Sequence, residues 1–144
     1  MRAIGLDLGT RRIGVAVSDS AGLIASPYEV IERASDRAAD HAEVARLVAE
    51  VGADCVVVGL PISLDGTIGP AAQAALAEVD ELAAALDVAV ETHDERLSSV
   101  TAERTLRERG MRGQARRKVV DKLAATVILQ AWLDGQRTEI RVDG

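Results

Sequence analysis

The chain has no phenylalanine, one tyrosine (Tyr28) and one tryptophan (Trp132) among its 144 residues. A core without large rings has to be built from Ala, Val, Leu and Ile, which lets strands and helices approach closely. The same scarcity excludes base stacking on aromatic platforms as a major mode of nucleic-acid recognition. A single cysteine, Cys55, allows no internal disulfide and fits a reducing cytosol. It lies in an apolar run and reads as small core filler. With two histidines far apart in sequence, His41 and His93, it offers no zinc donor set. There is no Gly-x-Ser-x-Gly motif, and His93 is a poor candidate for nucleophilic chemistry. No run approaches the ~18 apolar residues of a transmembrane helix. No charged-then-apolar leader pattern opens the chain. The expectation is a soluble, cytoplasmic protein with no membrane partner.

What is present is a hydrophobic fraction of 48%, enough at this length for one domain with a real core. The net charge is −6 and is unevenly spread. Between Arg104 and Lys122 eight basic residues (Arg104, Arg107, Arg109, Arg112, Arg116, Arg117, Lys118, Lys122) face only Glu108 and Asp121. A local field of this kind steers ligands more than the total charge does. The alternative is a solvated helix face.

Periodicity orders the elements. Residues 2–8 read as a first strand and Ile13–Ser18 as a second. The short Gly9–Arg12 turn between them makes the pair antiparallel. Leu23–Ile31 reads as a third strand, with Pro27 marking an edge or a bulge. Ser35 or Asp36 caps a helix ending at Gly52, with Val44, Leu47, Val48 and Val51 on its core face. Cys55–Leu60 reads as a central strand buried on both faces. Pro70 opens a second helix carrying Ala72, Ala75, Leu76, Val79, Leu82 and Leu86. Val88–Thr92 is a fifth strand, and Ser98 or Ser99 caps a helix to about Arg109. A glycine-containing break follows. The last helix is expected from Arg116 to Leu133, with Val120, Leu123, Ala124, Val127, Ile128 and Ala131 inward and Gly135 ending it. This predicts an α/β domain over 1–135 and a polar C-terminal tail over 136–144. Its mixed five-stranded sheet has three antiparallel strands plus two parallel ones, flanked by about four helices.

The chemistry-bearing residues sit at the ends of these elements. Asp7 is a carboxylate inside an apolar strand, costly unless a cation or donors satisfy it. Asp94 and Glu95 follow the fifth strand. Asp121 lies in the first turns of the last helix, flanked at helical spacing by Ala124, Ala125 and Ile128. Three converging carboxylates cannot all stay ionised without compensation. Oxygen donors suit Mg²⁺ or Mn²⁺. Two such ions ~3.5–4 Å apart would activate water and stabilise the leaving oxygen of a phosphodiester. Thr10, Arg11 and Arg12, just beyond the Asp7 strand, would reach a phosphate there. The loop from Gly59 to Pro70, which contains Asp65, precedes a helix N-terminus, where backbone amides favour anions.

Four blocks together resemble the YqgF/RuvX family. They are Gly5-Leu6-Asp7-Leu8-Gly9-Thr10-Arg11-Arg12-Ile13-Gly14-Val15-Ala16; Val58-Gly59-Leu60-Pro61 with Asp65-Gly66-Thr67; Asp94-Glu95-Arg96-Leu97-Ser98-Ser99 with Ala102-Glu103; and Arg117 to Ala125 through Ile128-Leu129-Gln130. The resemblance implies an RNase H-like fold and a metal-dependent nuclease. It implies that Asp7, Glu95 and Asp121 are catalytic and bind Mg²⁺ or Mn²⁺, with Glu95 rather than Asp94 at the metal. Processing of the 5′ end of precursor 16S ribosomal RNA and resolution of Holliday junctions are the two activities it implies. Thr10, Arg11, Arg12, Asp65, Arg96, Arg116, Arg117 and Lys118 are the expected substrate-binding residues. The partner is structured ribosomal RNA precursor or branched DNA, and monomer and homodimer are both compatible. Two readings compete. An actin-like ATPase also opens on an Asp-x-Gly-Thr strand, but it needs a second domain and a second phosphate loop. A non-catalytic nucleic-acid-binding or ribosome-assembly module would keep the basic segment and not turn over.

Overall fold

The computed structural model describes the backbone of residues 1–97 and 114–143, and side chains over 1–97 and 122–136. Five strands, β1 (Ala3–Leu8), β2 (Arg12–Ser18), β3 (Ala25–Glu32), β4 (Cys55–Leu60) and β5 (Ala89–Asp94), form one sheet in the order β3-β2-β1-β4-β5. The β1–β2 and β2–β3 pairs are antiparallel, and β1–β4 and β4–β5 are parallel. This is the mixed sheet the periodicity predicts, with β1 central. Pro27 sits on the edge strand β3, opposite Ala16, where the register with β2 shifts. Both consequences of a strand proline are therefore present.

The described helices are α1 (Arg37–Val51), α2 (Pro70–Ala85) and α3 (Gln114–Asp143), with a short 3₁₀ turn at Glu95–Leu97. Asp36 caps α1 by accepting from the Ala38 amide at 3.0 Å. Gly52 ends α1 in the left-handed region at φ 66°. The helix expected from Ser98 or Ser99 to Arg109 lies outside the described residues. Gly135 does not end α3, which continues to Asp143, so the residues expected as a tail are helical to that point. Gly135 keeps a negative φ. A glycine inside a helix costs only about 1 kcal/mol, too little to stop one already propagating.

Side-chain alternation divides the core in two. Ile4, Leu6, Ile13, Val15, Val56 and Val58 face α1 and α2. Ala3, Ala16, Cys55 and Val57 face α3. The α3 side is lined by small residues, and the helix comes very close there. A Cβ on Gly5 would stand 2.7 Å from Leu129 Cβ and 3.1 Å from the Ala125 carbonyl oxygen. This contact turns α3 slightly from the expected face. Ala124, Ala125, Ile128, Leu129, Trp132 and Leu133 are buried, whereas Leu123, Val127 and Ala131 are half-buried. On α2 the exposed Leu76 yields its expected core position to Glu78, which is 5% exposed. No helix among the described residues is long and apolar enough to cross a membrane.

Candidate active site at the carboxyl ends of the parallel strands

β1, β4 and β5 run parallel and end together, the edge where open α/β sheets bind ligands. Asp7 is the fifth residue of β1 and 5% exposed. Alternation puts it on the α3 face, two residues beyond Gly5. The pairing of Leu6 with Val58 brings Asp7 beside Gly59 on β4. Gly59 in turn pairs with His93 on β5. The chain leaves β5 in the 3₁₀ turn, and this returns Glu95 over Gly59. A Cβ at position 59 would stand 3.2 Å from Glu95 Cγ and 2.6 Å from Ile128 Cδ1. Glu95 is also 5% exposed. Glu95 and Ile128 of α3 thus close over the glycine that lies beside Asp7 in the sheet. Asp121 stands one helical turn before Ala125 on the same helix, and its side chain lies outside the described residues. Among the described residues no three His, Cys, Asp or Glu side chains form a metal-sized cluster. Two buried carboxylates and no sulfur at this edge fit a hard, oxygen-seeking cation such as Mg²⁺ or Mn²⁺.

Asp94 and Glu95 have separate roles. Arg96 folds back on Asp94, its Nη2 donating to Oδ2 at 2.6 Å and its Nε to both carboxylate oxygens at 3.0 and 3.1 Å. The Arg96 hydrogen bond holds the Asp94 carboxyl below its ordinary value against the opposing effect of burial. Asp94 is therefore neutralised by its neighbour, and Glu95 between them is buried towards Gly59. Burial pushes the His93 imidazole below its ordinary value, and the Asp94 charge opposes this. His93 Nε2 is buried and has no hydrogen-bond partner among the described residues.

Around this centre lie the expected substrate contacts. Thr10 and Arg11 are exposed on the β1–β2 turn, and Arg12 is half-buried. Asp65 closes its own turn, accepting from the Thr67 amide at 3.0 Å and the Thr67 hydroxyl at 2.6 Å. These bonds hold its carboxyl below the ordinary range. Arg96 approaches this turn, its Nη1 3.4 Å from where a Gly66 Cβ would be. Asp65 and Arg96 therefore stand together at one rim of the site. The amides of Ile62, Ser63, Gly66 and Thr67 donate within the loop, so these four are engaged there and not open to an anion. Arg116, Arg117 and Lys118 lie on the backbone of α3, and their side chains are outside the described residues.

Two features escaped the sequence reading. Gly59 is the floor beneath Glu95, for which a glycine in the middle of an apolar β-branched run is the only sequence signal. On the opposite face of the sheet, Arg33, Asp40, His41 and Glu78 form a buried ionic cluster. Its signal is charge at core spacing: His41 precedes Val44 and Val48, and Glu78 stands between Ala75 and Leu82.

Comparison with known proteins agrees with this geometry. The family model described as "RuvX: Holliday junction resolvase" matches residues 1–135. A Myxococcus xanthus protein named "Putative pre-16S rRNA nuclease" is 49% identical over 137 residues, covering 95% of this chain and 90% of that protein. One of the same name from Chloroflexus aggregans is 48% identical over 134 residues, covering 93% and 94%. Among solved structures, Thermus thermophilus RuvC in complex with a Holliday junction substrate superimposes with a TM-score of 0.59 at 18% identity, covering 96% of each chain. That likeness shows a shared RNase H-like fold. With a family model spanning nearly the whole chain and relatives close to half identical, this chain belongs to the RuvX family.

Proposed function

We propose that the chain is a divalent-metal-dependent endonuclease that hydrolyses phosphodiester bonds in structured RNA, acting in the cytoplasm at the 5′ end of precursor 16S ribosomal RNA. The observation that carries this reading is the burial of Asp7 and Glu95 at the carboxyl ends of the parallel strands. Two carboxylates withdrawn from water at one strand edge are the oxygen donors a hard divalent cation takes. Residues 1–135 form the nuclease domain. Asp7, Glu95 and Asp121 would hold Mg²⁺ or Mn²⁺. When bound, such ions supply an activated water and charge stabilisation for the leaving oxygen. The protein's part is to orient the scissile phosphate. Thr10, Arg11 and Arg12 bind it from the β1–β2 turn. Asp65 and Arg96 border it from the other rim, and Arg116, Arg117 and Lys118 draw the backbone in. With one tryptophan, buried at 7% exposure, and one tyrosine, recognition rests on phosphate charge and helical shape.

The relatives' name favours ribosomal RNA. The family model's description favours a second reading, resolution of branched DNA. One experiment separates them. Purified protein is given a precursor 16S leader RNA and a four-way DNA junction with Mg²⁺ or Mn²⁺, beside Asp7→Asn. The proposal expects RNA cleavage that Asp7→Asn abolishes without loss of fold. Preferential cutting of the junction would support the second reading, and equal activity in both proteins would overturn the metal-dependent site itself.

A further inference from the structure

Behind the turn that follows Asp7 lies the buried ionic cluster, which the proposed reaction does not use. Arg33 leaves the end of β3 and inserts its guanidinium between α1 and α2. Its Nη1 and Nη2 donate to Glu78 Oε2 and Oε1 at 2.6 and 2.9 Å, and Nη1 also reaches Asp40 Oδ2 at 3.4 Å. Asp40 Oδ1 accepts from the Ala34 amide at 2.7 Å. His41 Nε2 stands 2.8 Å from Glu78 Oε2. The guanidinium Nε donates to the Gly9 carbonyl at 3.0 Å. The Arg33 amide donates to the Arg11 carbonyl at 2.9 Å. One residue thus grips the turn at both ends while its head is anchored on two helices.

Stability is a weak reason for this arrangement. Asp40, His41 and Glu78 are 3–5% exposed. Well-packed apolar side chains in such places are often as stabilising as the ion pairs they replace. An open pocket of about 460 Å³ lies between Gly9 and Thr10 on one side and Ala71 and Ala74 of α2 on the other, and Arg33 and Glu78 form part of its wall. Across it, the hydrogen bonds of Arg33 link the turn to the two helices.

We propose that Arg33 is a positioning residue for the active site: anchored on Glu78 and Asp40, it fixes the Gly9–Arg12 turn and thereby sets Asp7 and the phosphate-binding Thr10, Arg11 and Arg12. The inference rests on the nuclease reading for its catalytic consequence, but its structural consequence is independent of activity. Lysine cannot substitute, because a point charge cannot bind Glu78 with two parallel bonds and keep a third donor for Gly9.

The test compares wild type with Arg33→Lys, with the apolar pair Arg33→Met/Glu78→Leu, and with Leu82→Ala, a core truncation on the same face of the sheet. Amide hydrogen exchange at residues 9–12, the urea midpoint and kcat with Mn²⁺ are measured on each. Both Arg33 variants should show faster exchange in the turn and a kcat lower by about 10- to 100-fold, the usual scale for residues supporting a metal site. The apolar pair should do so although its urea midpoint also falls, because Asp40 and His41 stay buried without their partners. Leu82→Ala should lower the midpoint while keeping wild-type turn exchange and kcat. Wild-type turn exchange in Arg33→Lys would overturn the proposal, as would a kcat that simply follows the midpoint across all variants. If the apolar pair does not fold, Arg33→Lys decides. If wild type cleaves nothing, the nuclease reading fails and turn exchange alone decides the role of Arg33.

Discussion

Gly59 lies directly beneath Glu95, so closely that a methyl group there would stand 3.2 Å from Glu95 Cγ and 2.6 Å from Ile128 Cδ1. The Ile128 methyl is the end of a flexible side chain and can yield. Glu95 is held in a 3₁₀ turn and yields by moving its carboxylate. Gly59→Ala should therefore cost about 1–3 kcal/mol of stability through overpacking. It should cost more in rate, because a misplacement of ~1 Å lowers catalysis by about 100-fold. Urea melts and cleavage rates on the same preparation check this. A variant that loses stability but cleaves at the wild-type rate would remove Glu95 from the site.

Gly5 offers the opposite balance. A Cβ there meets Leu129 Cβ at 2.7 Å and the Ala125 carbonyl oxygen at 3.1 Å. Neither atom can rotate away, so Gly5→Ala forces α3 off the sheet. We expect a loss of at least about 1–3 kcal/mol that outweighs a smaller fall in rate per folded protein, the latter arising because α3 also carries Asp121. Chemical denaturation and a rate normalised to folded protein distinguish this from Gly59→Ala.

These two glycines show where sequence reading succeeds and where it stops. The strand segments, the Asp36 cap, the Gly52 stop and the placement of Pro27 at an edge or bulge follow from local pattern, because each depends on neighbours within a few residues. Asp7 was legible because a carboxylate in an apolar run violates that pattern. Glu95 was singled out over Asp94 by resemblance; in the structure Asp94 pairs with Arg96, and Glu95 is buried. Contacts between distant segments were not legible. Nothing local says that Gly59 must admit a glutamate 36 residues later, or that Glu78 replaces Leu76 in the core to meet Arg33. The end of α3 was missed because a glycine weakens a helix without having to end it.

The ionic cluster carries a pH dependence. Burial pushes the Glu78 carboxyl up, and the hydrogen bonds and charges of Arg33 and His41 outweigh it, leaving the group below its ordinary 4.5. A carboxyl whose folded value is lowered contributes stability that is fully present above the unfolded value and is lost as pH falls through the folded one. Wild type should therefore lose stability below pH 4.5, and Glu78→Gln should lose less over the same range. Urea midpoints of both proteins between pH 7 and pH 3 check it. A gap between the two that stays constant with pH would contradict the linkage.

Cys55 should be chemically silent. Burial, with smaller contributions from the Glu91 and Asp54 charges, pushes its thiol up to about 11. The side chain is 4% exposed between β1 and α3. A thiol that is both protonated and enclosed is a poor nucleophile. Ellman's reagent at neutral pH should find no reactive thiol in the native protein and one per chain in denaturant. Rapid native labelling would show that the α3 face opens far more readily than its packing implies.

The basic residues at the start of α3 predict the salt dependence of binding. Arg116, Arg117 and Lys118 lie within five residues of Asp121 in a chain whose net charge is −6. Binding that depends on them must work through a local field, since the total charge repels a polyanion. Each phosphate neutralised releases counterions, so log K falls with log salt by about 0.9 per contact on a duplex and about 0.7 on a single strand. Reversing Arg116 and Arg117 to Glu removes two such contacts and adds repulsion. Affinity should drop most at low salt, and the slope should flatten by at least about the value of two contacts. The thermal midpoint should stay close to that of wild type. Fluorescence anisotropy with a structured RNA across a salt series measures all of this directly. An unchanged slope would place the nucleic-acid surface away from α3, leaving the β1–β2 turn and the Asp65–Arg96 rim to bind the backbone.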